Sequence, residues 1–266
     1  VGRTDLRSGL GADPLFGPHE SGVNGGVDLK YGLTSSLTLT GTVNPDFGQV
    51  EVDPAVVNLT QFETFYPEKR PFFIEGLNIF RFADSPAPSH FNFFNTPLMF
   101  YTRRLGRAPQ GTIAADFVDV PAQTRILGAT KLTGKLPDGW TLGVLDALGD
   151  AAQARFVSGP TFGRQQVEPM TNYFVSRATK ELGSSSRVGF LLTDVDRRLP
   201  EELSSMRRSA LTGGIDGYTR LDKSWIFEGS VYGTEVRGSA AAITATQQAP
   251  ARYYQRPDAH GIGLDP

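Results

Sequence analysis

Leu211-Thr212-Gly213-Gly214-Ile215-Asp216-Gly217-Tyr218-Thr219-Arg220, then Asp222-Lys223-Ser224, then Trp225-Ile226-Phe227-Glu228-Gly229-Ser230-Val231-Tyr232-Gly233-Thr234, reads as two strands and a turn. Leu211, Gly213, Ile215 and Gly217 alternate with Thr212, Asp216, Tyr218 and Arg220, and Trp225, Phe227 and Val231 alternate with Glu228, Ser230, Tyr232 and Thr234. Successive side chains of a strand point to opposite faces, so each strand has one apolar and one polar side.

The same unit occurs three more times. Val27, Leu29 and Tyr31 oppose Asp28 and Lys30; the chain turns through 32–36, and Leu37, Leu39, Gly41 and Val43 then oppose Thr38, Thr40, Thr42 and Asn44. Near 125–148, Ile126, Gly128 and Leu132 oppose Arg125, Lys131 and Lys135; Pro137-Asp138-Gly139 turns the chain, and Trp140, Leu142 and Val144 follow. Over 172–195 the turn is Gly183-Ser184-Ser185-Ser186, and Val188, Phe190 and Leu192 oppose Arg187, Gly189 and Thr193. Four hairpins predict at least eight strands, and the class is all-β.

Between the hairpins the chain wanders through 46–98, 149–170, 196–208 and 237–250, so short turns alternate with long connections. An outer-membrane barrel has this rhythm, with lipid-facing apolar and lumen-facing polar residues on each strand. A soluble β-sandwich also alternates, one face in its core and one in water. Asp28, Lys30, Lys131, Asp216, Arg220 and Glu228 all fall on the polar side, where they suit a wet lumen or a wet sandwich face.

Composition narrows the classes. The 26 Lys and Arg against 28 Asp and Glu give a net charge of -2, which provides no electrostatic basis for nucleic acid as partner. With 30 Gly and 18 Pro among 266 residues, the chain suits short strands and turns. The absence of Cys excludes a disulfide framework, thiolate metal sites and a cysteine nucleophile, and fits export. No apolar run is long enough for a membrane-spanning helix, a test that leaves a β-barrel untouched. The chain opens on Val1 without a signal-type segment, which reads as a cut end.

The first long excursion differs from the hairpins. It opens with Asn44-Pro45-Asp46-Phe47-Gly48, and Pro54 to Phe62 predicts a short helix. Phe65-Tyr66-Pro67-Glu68-Lys69-Arg70-Pro71-Phe72-Phe73-Ile74-Glu75-Gly76 then wraps aromatics around a charge cluster. Such a segment is expected to fold back, either capping a barrel or entering its lumen.

These words, with Gly26, Tyr31-Gly32-Leu33-Thr34, Val43, Gln49-Val50-Glu51, Asn58-Leu59-Thr60, Phe100-Tyr101-Thr102-Arg103-Arg104-Leu105-Gly106 and Leu127-Gly128-Ala129-Thr130-Lys131-Leu132-Thr133-Gly134, resemble domain-of-unknown-function family 5916 over most of the chain. The resemblance implies an antiparallel transmembrane β-barrel in the outer membrane of Gram-negative bacteria, commonly behind a periplasmic module similar to carbohydrate-binding family 9. This sequence lacks that module and stops at Pro266, short of a complete family barrel, so 1–266 is expected to be a partial barrel with 46–98 as a long loop or lumen-facing insertion. Some relatives carry a hydrolase label, but no catalytic residues can be carried over.

Asp46, Glu51, Asp53, Glu63, Glu68 and Glu75 are the carboxylates from which a glycoside-hydrolysing pair would be drawn. The favoured reading is that Glu68, Glu75, Lys69, Arg70, Arg103 and Arg104 form ion pairs that pin the excursion to the wall, with Arg70 partnered by Glu68, Glu75 or Glu63. Asp46, Glu51 and Asp53 match no calcium-loop spacing, and His19, His90 and His260 are isolated, so neither a metal nor a cofactor is expected. Ser184 to Ser186 lack a serine-hydrolase elbow. Trp140, Tyr173, Trp225 and Tyr232 are candidates for an interfacial aromatic belt or for ordinary packing.

The expected function is an outer-membrane channel or transport-associated barrel for polar solutes, with saccharides suggested by the family's module and outer-membrane lipid as its surroundings. The alternatives are a barrel-embedded hydrolase using the carboxylates of 46–80 and a structural or docking barrel with a filled lumen. The leaning is against an enzyme.

Overall fold

The structure, a computed structural model, describes residues 2–5, 14–15, 20–23, 25–45, 63–84, 97–222, 224–249, 263 and 265. The strands are β1 (Gly2–Asp5), β2 (Glu20–Val23), β3 (Val27–Gly32), β4 (Leu37–Val43), β5 (Phe117–Asp119), β6 (Ile126–Leu136), β7 (Trp140–Gly149), β8 (Ala152–Ser158), β9 (Thr161–Glu168), β10 (Met170–Leu182), β11 (Ser186–Arg198), β12 (Arg207–Arg220) and β13 (Ile226–Gly238). Two helices accompany them, α1 (Pro71–Ile74) and α2 (Ala240–Gln248).

The four hairpins line up in one eight-stranded sheet of order β13-β12-β11-β10-β7-β6-β4-β3, antiparallel throughout. Neighbours along this sheet follow chain order, so short turns fall at one end and long connections at the other. The turn chemistry is local. Asp138 and Gly139 both have positive φ, 61° and 77°, which is why Asp-Gly ends the β6–β7 hairpin. In the β12–β13 turn the Asp222 carboxylate accepts the N–H groups of Ser224 at 2.6 Å and Trp225 at 2.9 Å.

The sheet is open. Among the described residues β3 and β13 pair with no strand on their outer sides and do not meet each other, so the class is all-β antiparallel without a closed barrel. Among the described residues β1 pairs with β2 alone, and β5, β8 and β9 form a separate three-stranded sheet around Ala152, Ala154 and Val167. The stretch 149–170, expected to wander, is therefore mostly a hairpin whose core residues are small.

The two faces of the large sheet differ sharply. One is bare, with Val27, Leu29, Phe190, Ile215 (59% exposed), Phe227 and Val231 (79% exposed) all open. The other is covered by residues 70–84. There Phe72, Phe73 and Phe80 pack with Leu105 on Ala129, Leu145, Ala147 and Val175 of β6, β7 and β10. Two strand glycines make the close approach possible: a Cβ at Gly143 would meet Ile79 and Phe80 at 2.8–3.0 Å, and one at Gly214 would meet the Phe82 ring at 2.7 Å.

One side assignment changes. Ile126, expected on the apolar side with Leu132, is buried in the covered-face cluster, because the β6–β7 register shifts between Ile126 and Gly128. The helix expected over 54–62 lies outside the described residues.

Candidate functional site

Charged side chains meet the overlying segment along the covered face, and the segment builds its own rigid start. The Glu68 carboxylate accepts the backbone N–H groups of Lys69 and Arg70 at 3.0 and 2.9 Å, and the Arg70 guanidinium at 2.8 Å from Nε and 2.7 Å from Nη2. Arg70 also donates to the carbonyls of Leu105 and Thr102, at 2.7 and 2.9 Å, and lies over the Phe73 ring. Burial pushes the Glu68 carboxyl up, but hydrogen bonds from Arg70 and Thr102 with the charge of Arg70 outweigh it and hold the group below the usual carboxylate range. Both side chains are buried, so this is a satisfied pair and a poor proton donor.

Ahead of this pair, residues 63–66 lie along 101–104. Phe65 meets the Tyr101 ring edge-on, the Tyr66 N–H donates to the Tyr101 hydroxyl at 2.9 Å, and Glu63 pairs with Arg104 in the open. Beyond it, the wall takes hold. Lys131 of β6, 2% exposed, donates to the carbonyls of Phe72 and Glu75 and sits over the Phe72 ring. Lys30 of β3 pairs with the Glu75 carboxylate at the surface, and this hydrogen bond lowers the Glu75 pKa.

Further across, Arg177 of β10 and Asp216 of β12, 2% and 3% exposed, form a two-pronged ion pair, with 2.8 Å between Nη2 and Oδ2. The segment caps this pair directly: the Ala83 N–H donates to Asp216 Oδ2 at 3.1 Å and the Phe82 ring lies beside Arg177. Arg187 of β11 then donates to the Asp84 carbonyl and sits 3.7 Å from its carboxylate.

The candidate residues thus separate. Glu68 and Arg70 meet each other; Glu63 meets Arg104; Glu75 meets Lys30. Lys69 stands between the two members of the buried pair in sequence, Arg103 lies in the 102–105 turn that Arg70 grips, and Asp46, Glu51 and Asp53 lie outside the described residues. The pairing of Arg70 with Glu68 ties the segment to the 102–105 turn, whereas the wall itself grips through Lys30, Lys131, Asp216 and Arg187. Lys131 and Asp216, expected to be wet, are dry, because the segment covers them. The signal available for this was a lone charge on a strand flanked by Gly and Thr, as at Thr130-Lys131 and Ile215-Asp216-Gly217.

Trp140 and Trp225 are exposed near the short-turn end, the latter stacked on Phe227, while Tyr173 and Tyr232 fall on the covered side. Among the described residues no group of three or more His, Cys, Asp or Glu could hold a metal ion, and the three histidines lie outside them.

The family model described as domain of unknown function (DUF5916) matches residues 16–244. The chain belongs to this family. No curated protein matches the chain, and no solved structure does. The DUF5916 match takes in the whole eight-stranded sheet and all of the described covering segment.

Proposed function

We propose that the eight-stranded sheet is part of the wall of a bacterial outer-membrane β-barrel, with residues 70–84 in its lumen, and that the protein is a channel or transport-associated barrel for polar solutes. The observation that carries this reading is the bare face. Leu29, Phe190, Ile215, Phe227 and Val231 stand open on one side of a sheet whose other side buries Lys131, Arg177 and Asp216. In water such an arrangement exposes a large contiguous apolar patch; against lipid it is the stable orientation.

Further features agree. The six strands from β6 and β7 to β10–β13 are 10–14 residues long, enough for the about 9–11 that a tilted strand needs to cross a bilayer. Trp140 and Trp225 sit near the short-turn end, where an interfacial girdle is expected. Open edges at β3 and β13 would be intolerable in lipid, so the reading requires further strands beside them. Saccharides as the solute rest on the family resemblance alone.

The buried contacts of 70–84 fill part of one face of the sheet, which keeps a docking barrel with a filled lumen as the second reading. Carbonate extraction and planar-bilayer conductance of the full-length protein test both. Membrane retention with conductance is the expected result; retention with none selects the docking barrel, and a carbonate-soluble protein overturns both.

A further inference from the structure

At the long-connection end of the covered side lies a cleft of about 480 Å³, lined by five arginines, Arg104, Arg107, Arg197, Arg207 and Arg208, and by no acidic residue among those described. They converge from the 97–110 connection, from the end of β11 and from the start of β12. Counter-charge is provided from outside the lining: Glu63 pairs with Arg104, and Glu168 at the end of β9 lies 3.7 Å from Arg107. Glu168 is itself buried and is also engaged by the Gln110 N–H at 2.9 Å.

Among the described residues Arg197 finds only neutral acceptors in hydrogen-bonding range, with Glu168 acting on it through its charge alone. Its Nη1 donates to the Arg207 carbonyl and its Nη2 to Gln110 Oε1, both at 3.2 Å, while its Nε is buried with no hydrogen-bond partner. A buried charged donor without an acceptor is unfavourable, so the arrangement is poised for an acceptor that the described residues do not supply. Burial also pushes the Arg107 guanidinium below its ordinary range, against the opposing charge of Glu168.

We infer that this cleft binds a small soluble polyanion, a solute carrying two or more carboxylate or phosphate groups. Guanidinium groups match such groups two-pronged, and several around one cleft select for more than one negative charge. The volume suits a small solute, and Met99, Val195 and Val236 give its carbon skeleton an apolar wall. The cleft includes Tyr173, Thr212 and Tyr232 of the covered side, facing away from the bare apolar face, which favours a soluble anion over a lipid headgroup. The inference uses only the described covered side and stands or falls independently of membrane crossing.

Titration calorimetry on the full-length protein at low salt, with pyrophosphate and citrate as probes and maltose as the neutral control, tests it. The expected result is saturable binding of at least one anion, one per chain, weakening as salt is raised, with none for maltose. Arg197→Gln should weaken that binding about tenfold or more. Arg208 is exposed, so Arg208→Gln leaves the fold intact and should still weaken binding measurably. The inference is overturned if neither anion binds saturably, if both variants keep wild-type affinity, if maltose binds as well as the anions, or if only phosphatidylglycerol vesicles bind.

Discussion

The two faces of the large sheet invert the usual order of a water-soluble domain. The bare face presents Ile215, Phe227 and Val231 to its surroundings, and the covered face hides Lys131, Arg177 and Asp216 beneath Phe72, Phe80 and Phe82. A soluble sandwich would bury the first set and wet the second. The difference teaches that polar side chains on a strand need not mean solvent. Here Thr, Gly and isolated charges build a dry seat for another part of the same chain, and Lys131, Arg177 and Asp216 are each answered by an opposite charge or by a backbone group of the segment.

The largest effect should come from breaking the answered charge at the centre of the covered face. Asp216→Ala leaves Arg177 buried without its carboxylate and should destabilise the protein by about 3–5 kcal/mol in denaturant unfolding. Pairing it with Arg177→Leu should recover much of the loss; no recovery would mean that the pair's role lies elsewhere.

Arg70→Ala belongs to the same range, about 3–5 kcal/mol, because Glu68 is then stranded beside the 102–105 turn. Its signature is local: limited proteolysis should cut within 46–80 while the sheet stays intact. Unchanged proteolysis would break the anchoring account.

If the bare face meets lipid as proposed, Ile215→Arg or Phe227→Arg should cost membrane assembly about 2–4 kcal/mol, and Thr212→Arg on the covered side much less. Equal tolerance of the two faces, read as folded yield in lipid, would remove the lipid side of the comparison.

The smallest effect concerns acid. The folded Glu68 pKa lies below its ordinary 4.5, so its contribution is fully present above that value and is lost as pH falls through the folded pKa. Glu68→Gln should therefore flatten the acid limb of the stability curve below about pH 4.5, and an unaltered limb would show that the pair carries no pH-dependent stability.

The strands were legible because their apolar positions are large: Leu211, Ile215, Phe227 and Val231 declare a face at a period of two. β8 and β9 were not, because the apolar residues that they bury, Ala152, Ala154, Val157 and Val167, are small. Nor was α2, an Ala- and Thr-rich helix whose one clear sign is Ser239, which caps it by accepting the Ala242 N–H at 3.2 Å. The Glu68–Arg70 pair was within reach of the sequence, since aromatics on both sides force a charge to find a neighbour. The grip of Lys131 on carbonyls of residues 72 and 75 was not, because nothing local states what will lie above a strand.

The covering segment also sets an order of events in folding. Each hairpin of the large sheet joins chain neighbours and can close early, strand upon strand, at little cost in loop entropy. Residues 70–84 precede six of the strands of that sheet, and the Ala83–Asp216 hydrogen bond spans 133 residues. That contact cannot form until β12 exists, so the segment must wait, unsheltered, for most of the sheet beneath it to be synthesised and paired. Mutations that loosen the seat, such as those at Gly143 or Gly214, should then lengthen this waiting period and its exposure to proteases before they alter the finished protein.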